Sequence, residues 1–372
     1  MTHDKRESVV VAMSGGVDSS VAAHLLNEQG YSLVGVSMQV WDYKKNCGSS
    51  SRATCCSPAD FCDARMVASN LNFPFYVVDF EKTFQEEVID RFVDTYKRGL
   101  TPNPCIDCNT KVKFRALRDR AMTFGCDYVA TGHYARVLES EEGYHLLRGK
   151  DRDKDQSYFL YTMEQAELSR TLFPVGDFTK AEIREFAREA GLVTANKPES
   201  QDICFVSESV SDFLVKIGGA SNTKGDFVTS AGVKIGEHSG VHQFTVGQRR
   251  GLHLGGSVEP LYVIGLDAST NTVFVGPKGE LEQPGFEVEE LHWLSPQIKR
   301  LVAAGEKIAK NITVQVRSRH EGTPAVLEYD GTSNAVVTWK KEWVPASPGQ
   351  AAVFFDSDNQ EVLGGGRIRS SR

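Results

Sequence analysis

The sequence predicts an α/β protein: a parallel-sheet domain over residues 1–208, then two smaller β-rich domains over 209–280 and 281–372, the last a β-barrel. Three observations carry this. β-Branched runs alternate with helical periods through the first part, and glycine-rich turns between short β-like runs take over after about residue 209. The length, 372 residues with 40% hydrophobic content, is enough for two or three cores.

Residues 8–13 form a short apolar strand that runs into a glycine turn, and 21–27 continue as a helix. Residues 31–40 alternate like a strand, as do 75–80 after Pro74. Phe84, Val88, Ile89, Phe92, Val93 and Tyr96 keep helical spacing until Gly99. Thr101-Pro102-Asn103-Pro104 breaks that helix, and the next is expected to start near Asn109 as N-cap, with Val112, Leu117 and Ala121 on one face. A strand at 127–131 follows; Thr179 with Glu182 forms a capping box, and Gly191 ends that helix. Strands alternating with helices imply a parallel sheet covered on both faces. Downstream, short strands are expected at 226–229, 241–246, 261–266 and 272–275. A barrel is expected from 286–291, 312–316, 325–329, 335–339 and 351–355, with Asp330-Gly331 as a hairpin turn.

No apolar run is long enough to span a membrane, and the stretch before the glycines is too short for a signal peptide. The chain is therefore read as cytoplasmic. Its eight cysteines, all within the first 204 residues, are then thiols or ligands rather than a disulfide framework. The net charge of −7 argues against indiscriminate nucleic-acid binding. It leaves room for a specific RNA site, since residues 97–120 carry seven basic side chains against two acidic ones. Further basic clusters lie at Lys150/Arg152/Lys154, Arg249/Arg250, Arg317/Arg319/His320 and Lys340/Lys341. Solvated helix faces and turns would account for each cluster alone.

Between the first strand and helix stands Ser14-Gly15-Gly16-Val17-Asp18-Ser19-Ser20. Free backbone N–H groups and a helix N-terminus converge there, which is what an anion requires. The glycines admit close approach, and Ser14, Ser19 and Ser20 add hydroxyl donors. Asp18 would repel phosphate unless it holds Mg²⁺ or caps the helix. With no Gly-Lys-Ser/Thr ending this is not a Walker A loop. The order resembles the loop of N-type ATP pyrophosphatases, which cleave ATP between the α- and β-phosphates.

Cys105 and Cys108 form Cys-x-x-Cys after the proline-rich turn, where a helix terminus and Lys111 and Lys113 would favour thiolate. Cys204 follows Lys197-Pro198-Glu199-Ser200-Gln201-Asp202-Ile203. The three could be nucleophile, sulfur carrier and auxiliary thiol, or three ligands of a [4Fe–4S] cluster. Zinc would need further ligands from Cys55, Cys56 or Cys62, whose spacing is irregular. Cys47 and Cys126 read as packing residues.

Together the blocks 12–20, 101–109, 130–136, 154–160, 197–205, 244–249 and 347–350 resemble the bacterial tRNA-specific 2-thiouridylase family. The resemblance spans the chain and implies an adenine-nucleotide-hydrolase-like α/β domain followed by two β-rich domains. It implies that Ala12, Met13, Ser14, Gly15, Gly16, Val17, Asp18 and Ser19 hold ATP phosphates, and that Met38 and Gly132 contact the nucleoside. Cys108 would be the nucleophile and Cys204 the persulfide carrier. Asn103, Pro104 and Cys105 would touch the target base; His133, Lys154, Asp155, Gln156, Arg317, Ser318 and Gln350 would touch tRNA. The implied cofactors are ATP with Mg²⁺, and no resident protein-bound metal is expected unless the cluster reading holds. The implied partners are the anticodon stem-loop of tRNA with its wobble uridine, and a cysteine desulfurase or sulfur-relay protein. A rival ATP-pyrophosphatase-type ligase using ammonia would have no use for Cys108 and Cys204. A non-catalytic RNA-binding module with a metal would release no pyrophosphate.

Overall fold

A computed structural model of the chain describes residues 7–41, 57–199, 203–206, 209–219, 222–255 and 259–369. Five strands, β1 (Ser8–Ala12), β2 (Ser32–Gln39), β3 (Phe75–Asp79), β4 (Tyr128–Thr131) and the two-residue β7 (Thr171–Leu172), lie parallel in the order β3-β2-β1-β4-β7. Alternate side chains of β1 point to opposite faces. Val9 and Val11 pack against α1 (Val17–Glu28), α2 (Pro58–Asn70) and α5 (Lys180–Glu189) through Val21, Val67 and Ile183. Val10 packs against Leu117 and Ala121 on the other side. The central strand is thus apolar throughout because both of its faces are covered. A hairpin of β5 (Ala135–Ser140) and β6 (Gly143–Arg148) extends from the end of β4.

Two helical runs, α3 over residues 81–97 and α4 over 104–123, contain wide i→i+5 turns at Gln85–Ile89 and Cys108–Ala116. The expected start of α4 at Asn109 is wrong. Pro104 occupies its first turn, where a missing N–H is harmless, and Asn103 is the N-cap. Asn109 is instead buried inside the helix and donates to the Phe159 carbonyl at 3.3 Å. A short helix, α6 (Val210–Lys216), packs Phe213 against Phe92 and Phe205.

The next sheet has the order β10-β11-β8-β9, from β8 (Gly225–Thr229), β9 (Lys234–His238), β10 (Tyr262–Asp267) and β11 (Thr272–Gly276). The strand expected at 241–246 is instead a 3₁₀ turn (Val241–Gln243) and loop, with the Val241 N–H donated to Asn271 Oδ1 rather than to a neighbouring strand.

The last part closes as a six-stranded antiparallel barrel, β12-β15-β14-β13-β16-β17. Its strands are β12 (Gly285–Trp293), β13 (Ile308–Gln315), β14 (Thr323–Tyr329), β15 (Ala335–Trp339), β16 (Ala351–Phe355) and β17 (Val362–Ile368). The sequence did not suggest β17 because Gly364-Gly365-Gly366 sits at its centre. Closure explains the glycines: a Cβ on Gly365 or Gly366 would press on the Ala352 or Glu289 carbonyl of the neighbouring strand. Arg317 and Arg319 lie in the exposed turn after β13.

β16 binds the barrel to the first part of the chain. Ala352 and Phe354 face the barrel core. Ala351, Val353 and Phe355 face outward into a shared cluster with Ile106, Phe114 and Tyr158. All five residues are buried, so the strand reads as a continuous apolar run. Among the described residues no helix is long and apolar enough to cross a membrane.

Candidate active site

In open parallel sheets, ligands bind beyond the carboxyl ends of strands where the strand order reverses. Here that point lies between β1 and β4, and the Ser14–Ser20 loop follows β1 directly. Gly15 has φ +72°, and a Cβ there would overlap the Asp60 backbone of α2. Gly16 is the extended N-cap of α1. Ser14 and Ser19 face each other, their hydroxyl oxygens 3.2 Å apart. Ser20 contributes nothing to that face: it is buried and donates to the Gly16 carbonyl at 2.9 Å. Val17 is likewise a core residue. From the end of β4, Gly132 lies against the first turn of α1, with no room for a Cβ beside Asp18 and Ser19.

A cavity of about 330 Å³ opens beside this loop. It brings together Ala12, Met13, Ser14, Asp18, Ser19, Met38 and Gly132 with Pro104, Cys105, Cys108, His133, Gln156 and Cys204. Gly15, Gly16, Val17 and Asn103 do not line it. An apolar end formed by Val40, Phe61, Phe84, Val88, Val112 and Phe205 suits the face of a base, and Lys113 adds a charge. Apart from Lys113, sequence reasoning did not assign these residues a site role, although Phe84 and Val88 were visible as one face of a helix.

His133 is buried between Phe114 and Phe173, and its Nδ1 lies 2.7 Å from Thr131 Oγ1. Burial, helped by the Lys113 charge, holds its pKa well below the usual histidine value, so the ring is neutral. Gln156 accepts the Tyr134 N–H at 3.0 Å.

Asp18 is held by two protein partners. Its oxygens accept from Lys180 Nζ at 2.7 and 2.8 Å and from the Tyr134 hydroxyl at 2.7 Å. Lys180 also pairs with Glu199 at 2.9 Å, and Lys154 pairs with the other Glu199 oxygen at 2.8 Å. Burial pushes the Glu199 carboxyl up, but bonds from Lys154 and Lys180 hold it at about 2. Lys197 joins Asp60 at 2.6 Å and also Asp63. The segment leading to Cys204 is thus tied to α1, α2 and α5. Lys180 was legible only as the residue after the Thr179 cap.

Cys105 is exposed, and Cys108 and Cys204 are half-buried. All three line one cavity, yet among the described residues no group of three or more His, Cys, Asp or Glu side chains is placed to hold a metal. Of the spare cysteines weighed for zinc, Cys55 and Cys56 lie outside the described residues, as do Cys47 and residues 200–202 of the Cys204 motif.

The residues expected to touch tRNA divide. Arg317 and Ser318 are exposed on the barrel, and Lys154 is partly exposed. Asp155 is not available: it accepts from Arg148 at 2.6 Å, with both side chains at most 5% exposed, and from Ser157 at 2.8 Å. Arg148 in turn bonds Asn359 and lies 3.5 Å from the Phe355 ring centre. Gln350 points inward, its Nε2 donating to the carbonyls of Thr101 and Pro102 at 3.1 Å each.

Known proteins share this arrangement from end to end. Three family models match in succession: the tRNA methyl transferase HUP domain over residues 7–208, the tRNA methyl transferase PRC-barrel domain over 211–277, and the aminomethyltransferase beta-barrel domain over 283–368. The tRNA-specific 2-thiouridylase MnmA of Geobacter metallireducens is 47% identical over 372 residues, covering 99% of this chain and 98% of that protein. Its counterpart in Geotalea uraniireducens is 45% identical, covering 98% and 96%. A solved 4-thiouridine synthetase–RNA complex with bound ATP is 20% identical with a TM-score of 0.34, covering 57% of this chain and 50% of that one. Identity of 45–47% over nearly the full length of both chains makes this chain a member of the tRNA-specific 2-thiouridylase family.

Proposed function

We propose that this enzyme carries out ATP-dependent 2-thiolation of the wobble uridine of tRNA in the cytoplasm. The observation that carries the reading is the single cavity that joins the Ser14–Ser19 loop to Cys105, Cys108 and Cys204. ATP enters with its own Mg²⁺, its phosphates on the loop N–H groups and the Ser14 and Ser19 hydroxyls. The uridine C2 oxygen attacks the α-phosphorus, and pyrophosphate leaves. The O-adenylyl group turns a poor leaving group into AMP.

Cys204 carries a persulfide delivered by a cysteine desulfurase or a sulfur-relay protein. Its terminal sulfur attacks C2, and AMP departs with the C–O electron pair. Cys108 thiolate then attacks Cys204 Sγ, the S–S bond to the transferred sulfur breaks, and 2-thiouridine is freed. The resulting Cys108–Cys204 disulfide takes two electrons from an external thiol before the next turnover. Arg317, Ser318 and Lys154 lie where tRNA would rest on the barrel and the first domain together, and neutral His133 serves as a hydrogen-bonding wall of the base site.

Serine variants test this. Cys108→Ser and Cys204→Ser should lose thiolation by at least about a thousandfold while the protein remains folded, whereas Cys105→Ser keeps substantial activity. The readout is 2-thiouridine formation by mass spectrometry of digested tRNA. Equal loss in all three variants, with about four irons per chain in anaerobically purified protein, would overturn the persulfide pair in favour of cluster chemistry.

A further inference from the structure

We propose that Arg367, on the last barrel strand, is a positioning residue for the turn that carries Cys105 and Cys108, acting through Asp107. This rests on the thiolation reading only for what the turn is for. Asp107 lies between the two cysteines and is buried. Its carboxylate accepts from Arg367 Nη2 at 3.2 and 3.5 Å. The same guanidinium bonds Glu290 through Nε at 3.0 Å and the Gly349 carbonyl through Nη1 at 3.4 Å. All three nitrogens are used, so one planar group fixes the cysteine turn to two separate parts of the barrel. Arg91 of α3 stands 3.7 Å from the same carboxylate.

The backbone is gripped from the same direction. The Thr101 N–H donates to the Pro348 carbonyl at 2.9 Å, and Gln350 holds the next two carbonyls. The Tyr158 hydroxyl donates to the Ala351 carbonyl at 3.0 Å. The second sheet domain touches the turn as well, Thr245 Oγ1 lying 3.2 Å from Thr101 Oγ1. The Gln350 and Arg367 side chains are therefore turned to the cysteine turn. Attack of the Cys108 thiolate on Cys204 Sγ tolerates little displacement of the thiolate, and this bracing supplies the constraint.

The test combines steady-state thiolation with residue-resolved alkylation by iodoacetamide, read by peptide mass spectrometry. Arg367→Ala should lower kcat by about tenfold and leave KM for tRNA within about twofold. In the same variant, without tRNA or ATP, Cys108 should be alkylated about tenfold faster and Cys204 at the wild-type rate within about twofold. Asp107→Asn should reproduce both effects, and the double variant should be no worse than either single one. Should Arg367→Ala fail to fold, Arg367→Lys decides by the same two readouts, because it keeps the charge and loses the planar three-way bonding. A raised KM for tRNA with unchanged kcat, or unchanged Cys108 alkylation in a folded variant, would overturn the proposal. Alkylation needs no turnover, so it judges Arg367 even if the wild type proves not to thiolate tRNA.

Discussion

Two turns of this enzyme lead from irregular chain into a helix, and they are held in opposite ways. The Ser14–Ser20 turn is shaped by its own sequence and nearby neighbours: Gly15 with positive φ, Ser19 and Ser20 bonding back to Gly16, and α2 pressed against its tip. The Thr101–Cys108 turn is shaped by residues 249 and 260 positions further along, on a separate barrel. One site of chemistry is thus a local device, and the other an assembly of three domains. A phosphate site can be local because backbone N–H groups suffice for it. A thiol that must meet both a nucleotide and a folded RNA is set where the surfaces binding them converge.

That contrast can be broken experimentally. The largest effect is expected at the junction: Asp155→Ala leaves the Arg148 guanidinium buried beside the barrel without its carboxylate, and should destabilise the protein by about 3–5 kcal/mol. Urea unfolding checks this; unchanged stability with weakened tRNA binding would return Asp155 to the RNA surface. Next, Gly15→Ala combines positive φ with a clash against Asp60 and should cost about 2–4 kcal/mol, removing the rise in Tm expected on adding Mg·ATP to the wild type. A normal ATP-dependent shift in that variant would mean the loop is not locally set.

The smallest effect is a gradual one with pH. Burial lowers the pKa of His133, His238 and His242, and burial with the nearby Arg317 and Arg148 charges lowers His320 to about 4. These rings are neutral when folded, so the unfolded chain takes up protons first as pH falls through about 6.5. Their contribution to stability is complete above that pH and is lost on acidification towards the folded values. The urea midpoint should therefore be lower at pH 5.5 than at pH 7.5; an unchanged midpoint would contradict the neutral assignment.

The same contrast explains what the sequence made legible. Strand β1, the glycine turn and α1 follow from period, composition and turn chemistry within twenty residues, and they stand where expected. β15 and β16 were also readable, the latter because burial on both faces gives an unbroken apolar run. What was misplaced depends on partners far along the chain. The start of α4 fell at Pro104 rather than Asn109, because Asn109 finds its partner at Phe159 instead of capping. β17 was hidden by glycines that only barrel closure requires. Asp155 and Gln350 look like surface polar residues in sequence, and only the fold shows them turned to Arg148 and to the Thr101 and Pro102 carbonyls.

The separation of Asp107 from Arg367 also sets an order of events during synthesis. At ordinary rates of translation, roughly 10–50 seconds pass between the two residues joining the chain. For that interval the cysteine turn exists without its brace, while the ATP loop has its full set of sheet neighbours as soon as Thr171–Leu172 is made. A half-made enzyme of this design can hold nucleotide before it can aim sulfur, so its reactive thiol is positioned last.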